Sequence, residues 1–217
     1  MDHKDSLKIN EIFYSIQGES SWVGFPTTFV RTSGCHLRCT YCDTTYAYHE
    51  GDFLALTEIL ARVAAFATKY VCVTGGEPLL QPAIYDLLRN LCDSGYNVSL
   101  ETSGDKDCSR VDPRVKKVID VKTPDSGEPK AFDPRNLKFA DASTEFKFVI
   151  CSSRDFEWAE RFARENNLFQ KSNVLYSPSF KSVTERWLAE QILKTNSPAR
   201  LQLQLHIYIW PPDARGV

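Results

Sequence analysis

Three cysteines, Cys35, Cys39 and Cys42, fall within eight positions of the segment SGCHLRCTYCDTTYAYHE. Closely spaced thiolates are typical metal ligands, but a structural zinc site normally uses four ligands and paired C-x2-C knuckles. There is no second knuckle, although Cys72 or a nearby histidine could complete a tetrahedron. Free thiols would leave the clustering unexplained. The spacing favours a [4Fe–4S] cluster with three cysteine ligands, whose fourth iron stays open to a small molecule.

Length, composition and charge limit the class of protein. The 217 residues are 42% hydrophobic and 25% charged, with a formal net charge of −2. A chain of this length buries roughly 70% of its unfolded surface, and its charge gives no sign of a nucleic-acid-binding face. No segment reads as a signal peptide or a membrane span, and seven cysteines then predict thiols or metal ligands rather than disulfides. We expect a cytoplasmic protein with no nucleic-acid or membrane partner.

Short β-branched segments alternate with amphipathic helices, which predicts βα units around a mainly parallel sheet. The predicted strands are TTFVRT, YVCVTGG, YNVSLET, VKKVIDVK, EFKFVI, NVLYSP and a last one in RLQLQLHIYIW. The predicted helices are TEILARVAAFA, PAIYDLLRNLCDSG, RDFEWAERFARENN and VTERWLAEQILKTN. The segments TGGEP, ETSG, DVK and YSP end strands, and the cysteine loop follows the first strand. Active sites of parallel α/β folds lie at this edge of the sheet.

The cysteine spacing and the segment VTGGEP, with Gly75, Gly76 and Glu77, resemble the radical S-adenosylmethionine (SAM) superfamily. The resemblance implies an abridged, partly open (βα) barrel, formed as a single domain by residues 1–217. In that superfamily the open iron chelates the methionine moiety of SAM. One electron from the cluster then releases a 5′-deoxyadenosyl radical.

Further motifs resemble the 7-carboxy-7-deazaguanine synthases of queuosine biosynthesis: QGE, then G-x-P and F-V-R, then CDT, and a histidine near the C-terminus. The resemblance implies conversion of 6-carboxy-5,6,7,8-tetrahydropterin to 7-carboxy-7-deazaguanine, with SAM as a reusable cofactor and Mg²⁺ assisting. It also implies a homodimer and an electron donor such as flavodoxin or ferredoxin. Glycyl-radical-activating enzymes share the cysteine spacing and are the alternative enzyme. A zinc-stabilised interaction module is the non-catalytic alternative.

The resemblance also assigns residues to roles. Glu19 is the catalytic candidate, and Thr44 is the magnesium ligand. The substrate contacts are Ile16, Gln17, Gly18, Arg31, Thr74 and His206. The SAM contacts are Tyr41, Cys42, Asp43, Gly75, Gly76, Glu77, Glu101, Ser103, Asp120, Val121 and Lys122.

Several of these residues have structural alternatives. The forked guanidinium of Arg31 suits a substrate carboxylate but could form a structural ion pair. Glu145 and Lys147 share one strand face, where ligand binding and a buried ion pair are equally consistent with the pattern. A lone histidine in an apolar strand, such as His206, is more often a core residue. The tail PPDARGV runs past the end of some relatives, so a role for a terminal carboxylate in binding the substrate is in doubt.

Overall fold

A computed structural model describes residues 5–180, 182–211 and 214–217. Its strands form one open sheet in the order β3-β1-β2-β4-β5-β6-β7-β8-β9. The strands are β1 (Ser6–Ile16), β2 (Pro26–Thr32), β3 (Asp52–Ala55), β4 (Tyr70–Gly75), β5 (Asn97–Thr102), β6 (Lys116–Asp120), β7 (Glu145–Ile150), β8 (Asn173–Pro178) and β9 (Arg200–Leu201). The helices are α1 (Leu56–Ala64), α2 (Ile84–Asp93), α3 (Ser153–Glu165), α4 (Leu168–Lys171), α5 (Glu185–Thr195) and α6 (His206–Ile209).

The seven neighbouring strands β2 and β4 to β9 run parallel to one another, as the βα alternation predicts. The prediction missed β1 and β3, which extend the sheet beyond β2 in antiparallel orientation. In the described part of the chain no α-helix separates β2 from either of these strands, so the βα pattern does not extend to them. The predicted partly open barrel is confirmed, because the first and last strands of the sheet do not pair.

The sequence sets several helix ends. Side-chain oxygens of Ser152 and Thr184 accept hydrogen bonds from the first turns of α3 and α5, as N-cap residues do. Gly95 follows α2 with a φ of 84°, a left-handed conformation that glycine adopts without a steric penalty. In the described part of the chain, no helix is both long enough and apolar enough to cross a bilayer.

The two faces of the sheet differ in polarity. Leu100, Ile119 and Phe146 are fully buried in the apolar core shared with the helices. Their strand neighbours Glu101 and Asp120 point to the opposite face, because side chains alternate along a strand. Charged groups therefore gather on the inner face of the open barrel, while the helices bury its outer face.

The prediction of a long last strand over 200–210 is wrong. The strand β9 contains two residues, and His206 begins the short helix α6. Beyond β9 the chain crosses towards β1, where the Leu205 amide donates to the Gly18 carbonyl at 3.0 Å. This tertiary contact overrides the alternating pattern of LQLQL, as often happens with β-propensity.

Candidate active site

The cysteine loop is held by a neighbouring loop. The Thr40 amide donates to the Ser126 carbonyl at 2.9 Å, and the Arg38 amide donates to Glu128 at 2.7 Å. The Arg38 guanidinium also donates to the Cys35 carbonyl at 2.8 Å. The turn-rich segment after β6 thus fixes the backbone that carries the three thiols.

The three thiols are free, half-buried and close enough to interact electrostatically. Burial raises the pKa of Cys35 and of Cys39, and the neighbouring Cys42 thiol adds to both shifts. Among the described residues, no group of three His, Cys, Asp or Glu side chains could hold a single metal ion.

The GGE turn packs directly against the cysteine loop. A Cβ atom on Gly76 would lie 2.3 Å from the Gly34 carbonyl oxygen and 2.7 Å from Cβ of Cys35. Gly75 has a φ of 149°, and a Cβ there would lie 2.4 Å from the Thr32 carbonyl oxygen. Both glycines are therefore required for close approach of the backbone, and they place peptide groups beside the cluster ligands.

The Glu77 carboxylate is fully buried and hydrogen-bonded within the protein. It accepts from the Leu79 amide at 2.9 Å, the Thr102 hydroxyl at 2.9 Å and the Ser103 amide at 2.7 Å. Burial raises the pKa of this carboxyl group. Glu77 thus joins the loops after β4 and β5, and its side chain and that of Ser103 face each other.

Tyr41, Asp120 and Lys122 form a second polar group beside the thiols. Lys122 donates to Oδ2 of Asp120 at 2.8 Å and lies 5.4 Å from the Tyr41 ring centroid. The Tyr41 hydroxyl and Oδ1 of Asp120 are buried and find no partner among the described residues. Buried polar atoms are rarely left unpaired, so this place fits a polar ligand. The fully buried Val121 contributes backbone here, with its amide bonded to the Lys147 carbonyl at 2.7 Å.

A buried ion pair crosses the barrel interior. Nζ of Lys147 lies 2.7 Å from Oε2 of Glu19, and the two side chains are 14% and 11% exposed. Burial alone would raise the pKa of Glu19, but the Lys147 ammonium lowers it to about 2. Of the two interpretations offered for Lys147, the structure thus supplies the ion pair, with Glu19 as the partner. Glu145 instead pairs with Lys116 at 3.1 Å.

Glu101 stands near this pair on the inner face. It accepts from the Thr74 hydroxyl at 3.1 Å. Burial raises the pKa of Glu101, and the neighbouring Glu19 carboxylate adds to the shift. The interior thus holds two carboxyl groups whose pKa values move in opposite directions.

The QGE segment and the C-terminal segment meet across the open side of the barrel. A Cβ atom on Gly18 would lie 2.4 Å from Nδ1 of His206, so glycine is needed there. The Gln204 amide donates to Glu19 at 2.9 Å and to Asp43 at 3.3 Å. Gln204 was not predicted. The alternation in LQLQL indicated only a strand, and no motif singled this residue out.

Arg31 lies on the inner face with Glu11 as its partner. Its Nε donates to Oε1 of Glu11 at 2.7 Å, which is the ion pair named as the structural alternative. The Gln17 side chain is 2% exposed, and its Nε2 has no partner among the described residues. The Thr44 hydroxyl lies 3.9 Å from Sγ of Cys42, at the rim.

Comparison with known proteins agrees with this arrangement. Residues 29–125 match the family model of the radical SAM superfamily. The 7-carboxy-7-deazaguanine synthase of Chlorobaculum tepidum is 46% identical, over 100% of both chains. That of Koribacter versatilis is 39% identical, over 97% of this chain and 100% of the relative. The chain belongs to the 7-carboxy-7-deazaguanine synthase family. The crystal structure of QueE from Escherichia coli has the same fold, with a TM-score of 0.78 and 23% identity over 93% of this chain and 95% of that one.

The family predicted from the motifs is thus confirmed, and the relatives do not support the glycyl-radical-activating alternative or the zinc module. As a radical SAM enzyme of the 7-carboxy-7-deazaguanine synthase type, the protein uses a [4Fe–4S] cluster and SAM and acts on a small molecule. The three thiols and the unpaired atoms of Tyr41 and Asp120 fit these groups. The individual residue assignments stay predictions.

The contact between Gly76 and the cysteine loop generates a first test. Gly76→Ala should displace the loop, because the added Cβ meets backbone rather than a flexible side chain. We expect iron and sulfide content after anaerobic reconstitution to fall by at least about half, with the circular dichroism spectrum retained. Gly95→Ala is the control: it introduces strain at a positive φ but meets no atom within 4 Å. Equal iron content in both variants would contradict the proposed contact.

The Glu19–Lys147 pair generates a second test. Lys147→Met leaves a buried carboxylate without its cation, which should cost about 3 kcal/mol of unfolding free energy at neutral pH. Because the folded-state pKa of Glu19 lies below its ordinary value of 4.5, this contribution is present above pH 4.5 and is lost as the pH falls towards 2. Denaturant unfolding at several pH values measures both effects.

The exposed Lys69 offers a matched control, and Lys69→Met should change stability by less than about 0.5 kcal/mol. In the Lys147→Met variant, burial should raise the pKa of Glu19 above 4.5, which an NMR titration of the carboxyl carbon detects. A pKa that stays near 2 in this variant would show that Lys147 does not set it.

Proposed function

We propose that this chain converts 6-carboxy-5,6,7,8-tetrahydropterin to 7-carboxy-7-deazaguanine, with ring contraction and loss of ammonia, for queuosine or other 7-deazapurine biosynthesis. Similarity to 7-carboxy-7-deazaguanine synthases along the whole chain is the observation that supports this most strongly. When bound, the reduced cluster and SAM supply the hydrogen-atom abstraction that begins the rearrangement. The protein must hold the pterin beside them and keep water away.

The substrate is placed by side chains of the inner face. Arg31 binds the substrate carboxylate through its terminal nitrogens, since its Nε is already bonded to Glu11. Gln17, with a buried and unpaired Nε2, hydrogen-bonds an edge of the pterin, alongside the backbone of Ile16 and Gly18. His206, packed against Gly18, closes the site from the C-terminal side.

The carboxyl groups of Glu19 and Glu101 have different roles in this proposal. Glu19 has a pKa of about 2 and is ionised at neutral pH, so it accepts hydrogen bonds from pterin N–H groups and is a weak base. Glu101, whose pKa is raised by burial, contacts SAM from the same inner face. Thr74, bonded to Glu101, orients that carboxyl group.

The rim residues hold the cofactors in this proposal. Cys35, Cys39 and Cys42 are the cluster ligands. SAM lies against the backbone of Gly75, Gly76 and Glu77 and against the polar groups of Tyr41, Asp43, Ser103, Asp120 and Lys122, with backbone from Val121. Thr44 offers a hydroxyl ligand to Mg²⁺, which usually completes its coordination with water and substrate oxygens.

Other parts of the proposal concern the state of the protein in the cell. In this proposal an external donor such as flavodoxin or ferredoxin reduces the cluster, as the resemblance to radical SAM enzymes implies. All seven cysteines are free, which supports a reducing, cytoplasmic compartment. Residues 1–217 act as a single radical SAM domain, since one sheet draws strands from Ser6 to Leu201. A homodimer is part of the proposal because the family resemblance implies one.

Anaerobic turnover tests the proposal. The protein is reconstituted with iron and sulfide, reduced, supplied with SAM, Mg²⁺ and 6-carboxy-5,6,7,8-tetrahydropterin, and followed by mass spectrometry. We expect 7-carboxy-7-deazaguanine with many turnovers per SAM. Cys39→Ala should abolish both cluster assembly and SAM cleavage, whereas Cys92→Ala on α2 should retain both.

The alternatives predict different products. Deoxyadenosine without a deazaguanine product would retain the radical chemistry and contradict the proposed substrate. Bound zinc with no iron site, or SAM cleavage by Cys39→Ala, would contradict the assignment of the three cysteines.

A further inference from the structure

The Arg31 guanidinium is held along one edge. The bond from its Nε to Glu11, at 2.7 Å, is the one hydrogen bond that the described residues make with this group. The two terminal nitrogens keep their N–H groups for another acceptor. A guanidinium binds a carboxylate best through two parallel N–H···O bonds, which this open edge can supply.

Glu11 is itself fixed by a second residue. The Tyr46 hydroxyl donates to the same oxygen, Oε1 of Glu11, at 2.9 Å. The Arg31 guanidinium lies 5.8 Å from the Phe13 ring centroid and 6.0 Å from that of Tyr46. The side chains of Arg31 and Glu11 are 15% and 18% exposed, so neither can move freely into solvent. The three polar groups form a compact, ordered set.

The C-terminal tail packs against this set. The Arg215 guanidinium lies 4.0 Å from the Tyr46 ring centroid and donates to Glu50 at 3.0 Å. A Cβ atom on Gly216 would lie 3.9 Å from Oε2 of Glu11, in ordinary contact. Arg215 thus packs on the Tyr46 ring, and the backbone of Gly216 lies on the side of Oε2 of Glu11.

We propose that Glu11 and Tyr46 are positioning residues that fix Arg31, so that its terminal nitrogens select a substrate carboxylate over a neutral group of the same shape. This inference rests on the proposed function, in which Arg31 binds the substrate carboxylate. A fixed planar fork favours a planar two-oxygen anion, whereas a mobile arginine would accept other partners more readily. The negative charge of Glu11 opposes an incoming carboxylate, so its benefit comes from orientation rather than attraction.

If Glu11 acts by orienting Arg31 rather than through its charge, two substitutions of Glu11 should have opposite effects. Glu11→Ala removes the acceptor and frees the guanidinium. Glu11→Gln keeps an oxygen that can accept from both Arg31 and Tyr46 but removes the opposing charge. The alanine variant should therefore lose selectivity, and the glutamine variant should keep it with equal or tighter binding of the carboxylate.

Calorimetry on the SAM-loaded holoenzyme, without reductant so that no turnover occurs, provides the test. The two ligands are 6-carboxy-5,6,7,8-tetrahydropterin and its 6-carboxamide. Glu11→Ala should raise the Kd of the carboxylate about ten-fold, the loss typical of one charge-assisted hydrogen bond, and that of the carboxamide less than about two-fold. Glu11→Gln should bind the carboxylate at least as tightly as the unmodified enzyme does. Tyr46→Phe should raise the Kd of the carboxylate about three-fold.

Two results would overturn the inference. If Glu11→Ala raised the Kd of the carboxylate and that of the carboxamide by the same factor, the substitution would have disturbed the fold in general. A Glu11→Gln variant as weak as Glu11→Ala would indicate that charge matters and orientation does not. Glu58→Ala, which breaks the exposed pair with Arg62 on α1, is the control and should leave both Kd values unchanged.

Arg31→Ala separates this inference from the proposed function. If Arg31→Ala abolishes the preference for the carboxylate and Glu11→Ala does not, the positioning role is wrong and the substrate placement stands. If Arg31→Ala leaves the preference unchanged, the substrate placement itself is wrong.

Discussion

The Glu19–Lys147 ion pair is the interaction on which the barrel interior depends. It joins the segment that follows β1 to β7 across the inner face, at 2.7 Å. Removing two charges from water is costly unless good geometry and further hydrogen bonds compensate. Here the Gln204 amide supplies such a bond to the second oxygen of Glu19. The pair and its amide partner thus bring the C-terminal segment to the same point and close the open side of the barrel.

The Glu19–Lys147 pair influences the pKa values of the carboxyl groups on the inner face. Lys147 keeps Glu19 ionised, and the Glu19 carboxylate in turn helps to raise the pKa of Glu101. The pKa values of the two carboxyl groups of this interior therefore move in opposite directions. Arg31 carries its own counter-ion, Glu11, and offers its remaining edge to a ligand. The two ion pairs thus order the charged groups of the inner face.

The sequence predicted the features that depend on local pattern. The βα alternation predicted the parallel strands, and the cysteine spacing with the GGE turn predicted the cluster and its family. The GGE glycines contact the cysteine loop because strand ends of a parallel sheet share one edge. Gly95 is the last residue of the predicted helix PAIYDLLRNLCDSG, and in the structure it follows α2 with a positive φ.

The sequence did not predict features that depend on contacts between residues far apart in the chain. The alternating LQLQLHIYIW segment has the period of a strand, yet its path is set by Gly18, nearly two hundred residues earlier. Glu11 and Gln204 lie in no motif, and their roles appear only when Arg31, Glu19 and Asp43 are placed around them. The Glu77 carboxylate lies in a motif, but its burial among backbone and hydroxyl donors could not be foreseen from composition.

The three-cysteine loop and the polar barrel interior are proposed to form one site. Electron paramagnetic resonance of the reduced, reconstituted protein can test whether they do. SAM is added first and 6-carboxy-5,6,7,8-tetrahydropterin second, with rapid freezing before turnover. We expect SAM to change the spectrum of the cluster and the pterin to change it again, since both are proposed to bind beside the cluster. A spectrum that responds to SAM but not to a saturating pterin would contradict the shared site.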